Sequence, residues 1–319
     1  SVVQSETGEI ESVRTEKHGS IEADFFVDST GFASVLICKT LKVPFNSYKD
    51  ILFNDRAVAM PTPLDTDGTL PSQTISTALK YGWVWKIPLA NRFGNGYVYS
   101  SDYINEEEAE LELRAHLGLE DAPTEARHLK MRVGRVERCW HKNCLAVGLS
   151  QGFIEPLEAT ALMIVQDTVE IFIKRFEQGE FTDRYRADCN EKVNAIFDGV
   201  KNYIFTHYKL NSRTDTDYWI ANRENTRVPS DVANILDVWD RGGDLLQELR
   251  QQASRLVYSP TSWYCILAGM GRFPKKPKKP KPNFTYFDPK QARSLCEKML
   301  PYFPDHQQTI IGMRRDKQA

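Results

Sequence analysis

The chain has 319 residues, 41 Lys and Arg against 43 Asp and Glu, and a formal net charge of −2. That length accommodates one large domain or two ordinary ones around a sizeable core, and 41% hydrophobic with 26% charged residues excludes wholesale disorder. The near-neutral balance argues against nucleic acid as a partner, and no apolar run approaches the ~18 residues of a membrane span, so a soluble protein is expected.

The six cysteines, at 38, 139, 144, 189, 265 and 296, show no C-x-x-C spacing. Neither a metal site nor a dense disulfide framework is expected, and scattered reduced thiols fit a cytoplasmic protein. The opening SVVQSETGEIESV has neither the basic start nor the apolar core of a signal peptide, and it has no initiator Met. It reads as if already inside a strand, so a fragment with chain upstream is expected.

In chain order, residues 1–28 alternate as strands at 2–3, 10–13 and 21–27, with turns at Glu6-Thr7-Gly8 and Lys17-His18-Gly19, which predicts a β-meander. Residues 33–42 fit a short helix or a loop. Short β-like runs then recur at 57–60, 74–79, 82–87, 96–100, 132–136 and 145–149, interrupted by a Glu-rich helix at about 105–117. This is an α+β pattern, with a mixed, mostly antiparallel sheet followed by a helical C-terminal region. After 155 the period changes. Leu162, Val165, Val169, Phe172 and Phe176 form one helical stripe ending at Gly179, with Pro156 opening the helix. Further helices are expected at about 183–207, 230–256 and 288–299. The Lys/Pro run at 274–282 excludes helix or central strand and predicts an exposed loop. The expected organisation is 1–50 with 145–180 as one module, 51–144 as a sheet region, and 181–319 as a helical cap.

Three segments could carry chemistry. In Gly148-Leu149-Ser150-Gln151-Gly152-Phe153-Ile154-Glu155-Pro156-Leu157-Glu158, a strand enters a glycine-containing loop before a helix whose first-turn N–H groups suit an anion. Glu155 and Glu158 either complement that helix dipole or act chemically. In Gly82-Trp83-Val84-Trp85-Lys86-Ile87-Pro88, the two tryptophans share one face of a strand, as a core pair or as an aromatic wall beside a ligand. Asp28-Ser29-Thr30-Gly31 is a strand-ending turn and by itself weak evidence of a ligand.

Taken together with His207-Tyr208-Lys209-Leu210 and Trp263-Tyr264-Cys265-Ile266-Leu267-Ala268-Gly269-Met270-Gly271, these segments resemble the flavin-dependent tryptophan halogenase family, from residue 1 to about 300. The W-x-W-x-I-P element is the most specific part of the likeness. The resemblance implies a truncated FAD-dependent monooxygenase-like fold. It also implies an enzyme in which reduced FAD, supplied by a separate flavin reductase, generates hypohalous acid from O₂ and a halide ion. That oxidant halogenates an aromatic, indole-type substrate through a lysine at the end of a tunnel. A homodimer is compatible with this likeness.

By position, Glu158 resembles the catalytic glutamate beside that lysine, and Thr160 and Ala161 the halide site. Leu149, Leu162 and Gly31 resemble neighbours of the flavin. Trp83 and Trp85 resemble the pair that keeps organic substrate away from it, and Tyr258, Ser262 and Trp263 the substrate contacts. Three departures stand out. No G-x-G-x-x-G phosphate loop occurs in the chain. The lysine of the family belongs to the part that is not here, so none of the lysines present is nominated, and the fragment alone is expected to be inactive. Finally, Ala253, Val257-Tyr258 and Ser262 stand where tryptophan-specific members carry Glu, Phe-Trp and Asn. An aromatic monooxygenase on the same fold and a non-catalytic relative are the alternatives.

Overall fold

The computed structural model describes residues 1–64, 70–274 and 288–315. Of the loop expected at 274–282, all but Pro274 lies outside them.

Strands β1 (Val2–Gln4), β2 (Ile10–Thr15) and β3 (Gly19–Glu22) form the expected antiparallel meander. The run at 21–27 is not one strand. It breaks after Glu22, and β4 (Phe26–Asp28) leaves the meander to pair in parallel with β13 (Cys144–Ala146). Burial decides the break: all four residues of β3 are exposed, whereas Phe26 and Asp28 are buried and Phe25 packs against Trp140 and Phe172.

Asp28 anchors the following turn. Its fully buried carboxylate accepts from the N–H groups of Thr30, Leu36 and Ile37 at 3.0, 2.9 and 2.8 Å, and from the Thr30 hydroxyl at 2.6 Å. Those bonds fold Gly31–Ala33 into a 3₁₀ turn and Val35–Thr40 into a π turn. Gly31 sits at φ 68°, with open space where a side chain would project.

After β5 (Phe45–Ser47) come β6 (Arg56–Thr62), β7 (Ile75–Ala78), β8 (Gly82–Pro88), β9 (Phe93–Tyr99) and, beyond α1 (Glu106–Leu117), β10 (Arg127–Lys130). They build an antiparallel five-stranded sheet in the order β10-β6-β9-β8-β7. Alternation gives β8 two faces: Trp83 enters the main core, while Val84 joins Tyr97, Tyr99, Ala109 and Leu113 in a smaller core under α1. Trp85 lies across Gly96 of β9, where even a methyl carbon would fall 2.0 Å from the indole ring. Small antiparallel pairs complete the β-structure: β11 (Gly134–Val136) between β5 and β14 (Gly152–Phe153), and β12 (Trp140–His141) with β13.

The helix expected from Pro156 begins later. Pro156–Glu158 is a single 3₁₀ turn, Ala159 takes φ 53°, and α2 runs Ala161–Gln178. Its buried face is Ile164, Thr168 and Phe172, so the expected stripe is rotated and Leu162 is 83% exposed. The left-handed Ala159 delays the start of the helix to Ala161.

Helix α3 (Arg186–Lys209) buries Cys189, Val193, Phe197, Val200, Tyr203 and Ile204. It is followed by α4 (Asp217–Glu224), and the helix expected at 230–256 is two, α5 (Ser230–Asp240) and α6 (Leu245–Gln251), parted at Gly242 with φ 64°. Then come α7 (Pro260–Gly269), α8 (Pro289–Met299) and α9 (His306–Arg315). The main core is continuous from Ile10 to Leu267. Among the described residues no helix is long and apolar enough to cross a membrane.

Candidate active site

The loop from β14 to α2 carries the site. Because Pro156–Glu158 turns and Ala159 reverses the backbone, neither glutamate lies in the first turn of α2, which holds no acidic residue. Dipole complementation of a long helix is therefore not what either carboxylate does.

Glu158 is about a third exposed, and its Oε1 lies 2.9 Å from Nε2 of His207 on α3, one of whose turns presents Tyr203 and His207 on the same side. Tyr203 stacks on Tyr258, with centroids 3.8 Å apart, and meets His207 and Trp263 edge-on at 5.1 Å each. The Tyr203 hydroxyl donates to the Ser262 carbonyl at 3.2 Å. Burial and, next, the charge of Glu158 push the Tyr203 phenol up to about 12 and raise that of Tyr258, opposed there by the nearby Thr160 hydroxyl. Both phenols remain O–H donors at neutral pH.

Of the expected substrate contacts, Tyr258 is half-buried and Trp263 is 1% exposed, enclosed behind Tyr203 with no partner for its Nε1 among the described residues. The Ser262 hydroxyl shares a 3.2 Å contact with that of Ser259, the residue capping α7. Ala253 is exposed at the end of α6.

Thr160 is buried and leads into Ala161, which is open, so the stretch from Glu158 to Leu162 faces two compartments. On one side are the aromatic rings. On the other is an apolar recess of about 160 Å³ lined by Gly148, Leu149, Phe153, Ala161, Leu162 and Val165. Four residue steps separate Glu158 from Leu162, so the two compartments lie within about 14 Å along the backbone. Gly31 joins the same edge, since its turn packs on Gly148–Ser150 and Ser34 Oγ donates to the Ser150 carbonyl at 2.9 Å.

Trp83 is placed differently. It is buried, 6.1 Å and edge-on from Trp85, and its Nε1 approaches Glu155 Oε2 at 3.4 Å. The same oxygen accepts from Asn54 Nδ2 at 2.7 Å, and Asn54 also bonds the hydroxyls of Tyr208 and Tyr218 at 2.9 and 2.8 Å. Glu155 is 1% exposed, and its Oε1 has no hydrogen-bond partner among the described residues. Burial raises its carboxyl above the ordinary range despite the donors around it. Sequence reading nominated neither Glu155 alone nor Asn54, Tyr203, His207 and Tyr218. The available signals were the Tyr203/His207 spacing of four on a helix and the place of His207 in the His207-Tyr208-Lys209-Leu210 tract of the family likeness.

Helices packed on antiparallel sheets, with one parallel pair β4–β13, follow the FAD-dependent monooxygenase-like fold of the solved flavin-dependent halogenases. The chain belongs to the tryptophan halogenase family, whose model matches residues 1–284. It is 40% identical over 290 residues to tryptophan 6-halogenase SttH of Streptomyces toxytricini, covering 89% of this chain and 54% of that protein. To tryptophan 7-halogenase RebH of Lentzea aerocolonigenes it is 35% identical, over 97% of this chain and 59% of that one. Among solved structures, BrvH, a flavin-dependent halogenase from Brevundimonas sp. BAL3, is 32% identical with a TM-score of 0.85, covering 98% of this chain and 63% of that one. The chain spans a little over half the length of these curated relatives.

The residues present fit one side of a flavin ring. Leu149 and Leu162 are 40% and 83% exposed at the mouth of the recess, and the N-terminus of α2 beside them has no side-chain cap. Apolar flanks with free N–H groups between them suit a planar apolar ring with a negatively polarised edge.

Proposed function

We propose that this chain supplies the halide and substrate side of a flavin-dependent halogenase acting on an indole-type aromatic. Leu149, Leu162 and Gly31 would border reduced FAD, delivered by a separate flavin reductase. When bound, that cofactor supplies, with O₂ and halide, a hypohalous oxidant. Thr160 and the Ala161 N–H hold the halide at the uncapped helix start. Tyr258, stacked on Tyr203, orients the aromatic ring from the other side. Glu158 stabilises the positive charge that develops on that ring and accepts its proton. Trp83 and Trp85 close the flavin side to organic substrate, and the free thiols suit a cytoplasmic setting.

The observation that carries this reading is the placement of Glu158 and the recess at the two ends of one five-residue stretch. In the complete protein, Glu158→Gln should retain FAD yet lose at least roughly 100-fold in turnover. Wild-type turnover with reductase supplied would overturn the role.

Substrate choice follows from the groups at the aromatic site. Ala253 cannot pair with an ammonium, and Ser262 is shorter than Asn and already engaged with Ser259. A charged amino-acid tail would be held without a partner there. Indole or a neutral derivative should be halogenated faster than free L-tryptophan in a competition scored by mass spectrometry. A clear preference for L-tryptophan would sink this part alone.

A further inference from the structure

We infer that His207 is a positioning residue for Glu158, holding one carboxylate oxygen so that the other is left for chemistry. The inference rests on the role proposed for Glu158. His207 Nδ1 lies 3.1 Å from the Tyr203 carbonyl oxygen. A carbonyl can only accept, so Nδ1 carries hydrogen, and Nε2 is the nitrogen left to face Glu158. Two lone pairs facing each other across the 2.9 Å between Nε2 and Glu158 Oε1 would repel, so a proton occupies that contact.

Glu158 thus has a charge partner within this chain, and it is fixed to α3 rather than to the start of α2. Its Oε2 makes no hydrogen bond or ion pair among the described residues. The groups around the imidazole are Glu158 and Glu155 from the loop, Tyr203 one turn earlier on α3, and Tyr258 stacked on Tyr203.

The ring also packs edge-on against Tyr203, so a structural role must be separated from this one. His207→Phe keeps an aromatic ring in that place, and His207→Gln keeps a donor that reaches where Nε2 reaches. In the complete protein, His207→Phe should bind FAD as wild type and keep KM within about twofold while kcat falls about tenfold or more. His207→Gln should recover most of the loss. In the Glu158→Gln background, His207→Phe should cost little further, since the two residues act as one unit. Full activity of His207→Phe beside an inactive Glu158→Gln would overturn the inference and leave the Glu158 role standing. Full activity of Glu158→Gln would remove both, and equal, additive losses would remove the coupling.

A readout independent of turnover is available in the complete protein. Long-range ¹H–¹⁵N spectra with labelled histidine, assigned by the His207→Phe variant, should show Nδ1 protonated throughout and an Nε2 resonance that moves in Glu158→Gln. A neutral ring protonated only at Nε2, or a spectrum indifferent to Glu158→Gln, would refute the placement.

Discussion

Glu155 and Glu158 stand at opposite ends of one 3₁₀ turn, and their surroundings have little in common. Glu155 points inward among neutral donors from β8, α3 and the loop before β6, with one oxygen left over. Glu158 points to a half-open space against a single imidazole. The same side chain three residues apart becomes a structural anchor in the first place and, in the role proposed above, a reactive group in the second. Pro156 and the left-handed Ala159 set the direction of each. Chemistry is decided here by solvent access and by what charge is within reach, not by residue type.

The comparison can be broken most forcefully at Glu155. Replacing it with Leu removes the acceptor of Trp83 Nε1 and one of the two acceptors of Asn54 Nδ2 in a closed interior, and should destabilise the fold by about 3 kcal/mol. A thermal midpoint within a degree or two of wild type would show that the network is dispensable.

A finer test uses Glu155→Gln, which keeps shape and an acceptor but cannot ionise. The folded-state carboxyl titrates above its unfolded value of 4.5, so the folded protein binds the proton more tightly than the unfolded chain. The stability this provides is complete below pH 4.5 and declines as pH rises toward the folded value. Glu155→Gln escapes that decline. Its thermal midpoint should gain on wild type as pH rises above 4.5, and parallel curves would mean that burial does not control the group.

The smallest effect is expected at Glu158. Its contact with His207 is partly solvated, so Glu158→Gln should alter stability by less than about 1 kcal/mol. A loss comparable to that of Glu155→Leu would erase the distinction and make Glu158 an anchor too.

Much of the fold was legible from periodicity. The meander, the strands of the central sheet, α1 and the α2–α3 pair follow from alternation and helical spacing, because each buries one face. What failed did so at single backbone positions. Ala159 at φ 53° broke the helix foreseen from Pro156, and Gly242 at φ 64° divided the one foreseen at 230–256. The departure of β4 from the meander was settled by a partner more than a hundred residues away.

The sequence by itself determined the family, the α+β class and the loop on which the two glutamates sit, since those depend on local pattern and on motifs that survive in one dimension. Only the tertiary structure decided which glutamate is buried, that His207 meets Glu158, and that Trp83 leans on Glu155 rather than standing open. Those outcomes depend on contacts between α3, β8 and a loop far apart in the chain, where desolvation acts on Glu155 and an imidazole from α3 meets Glu158. No local pattern carries that information.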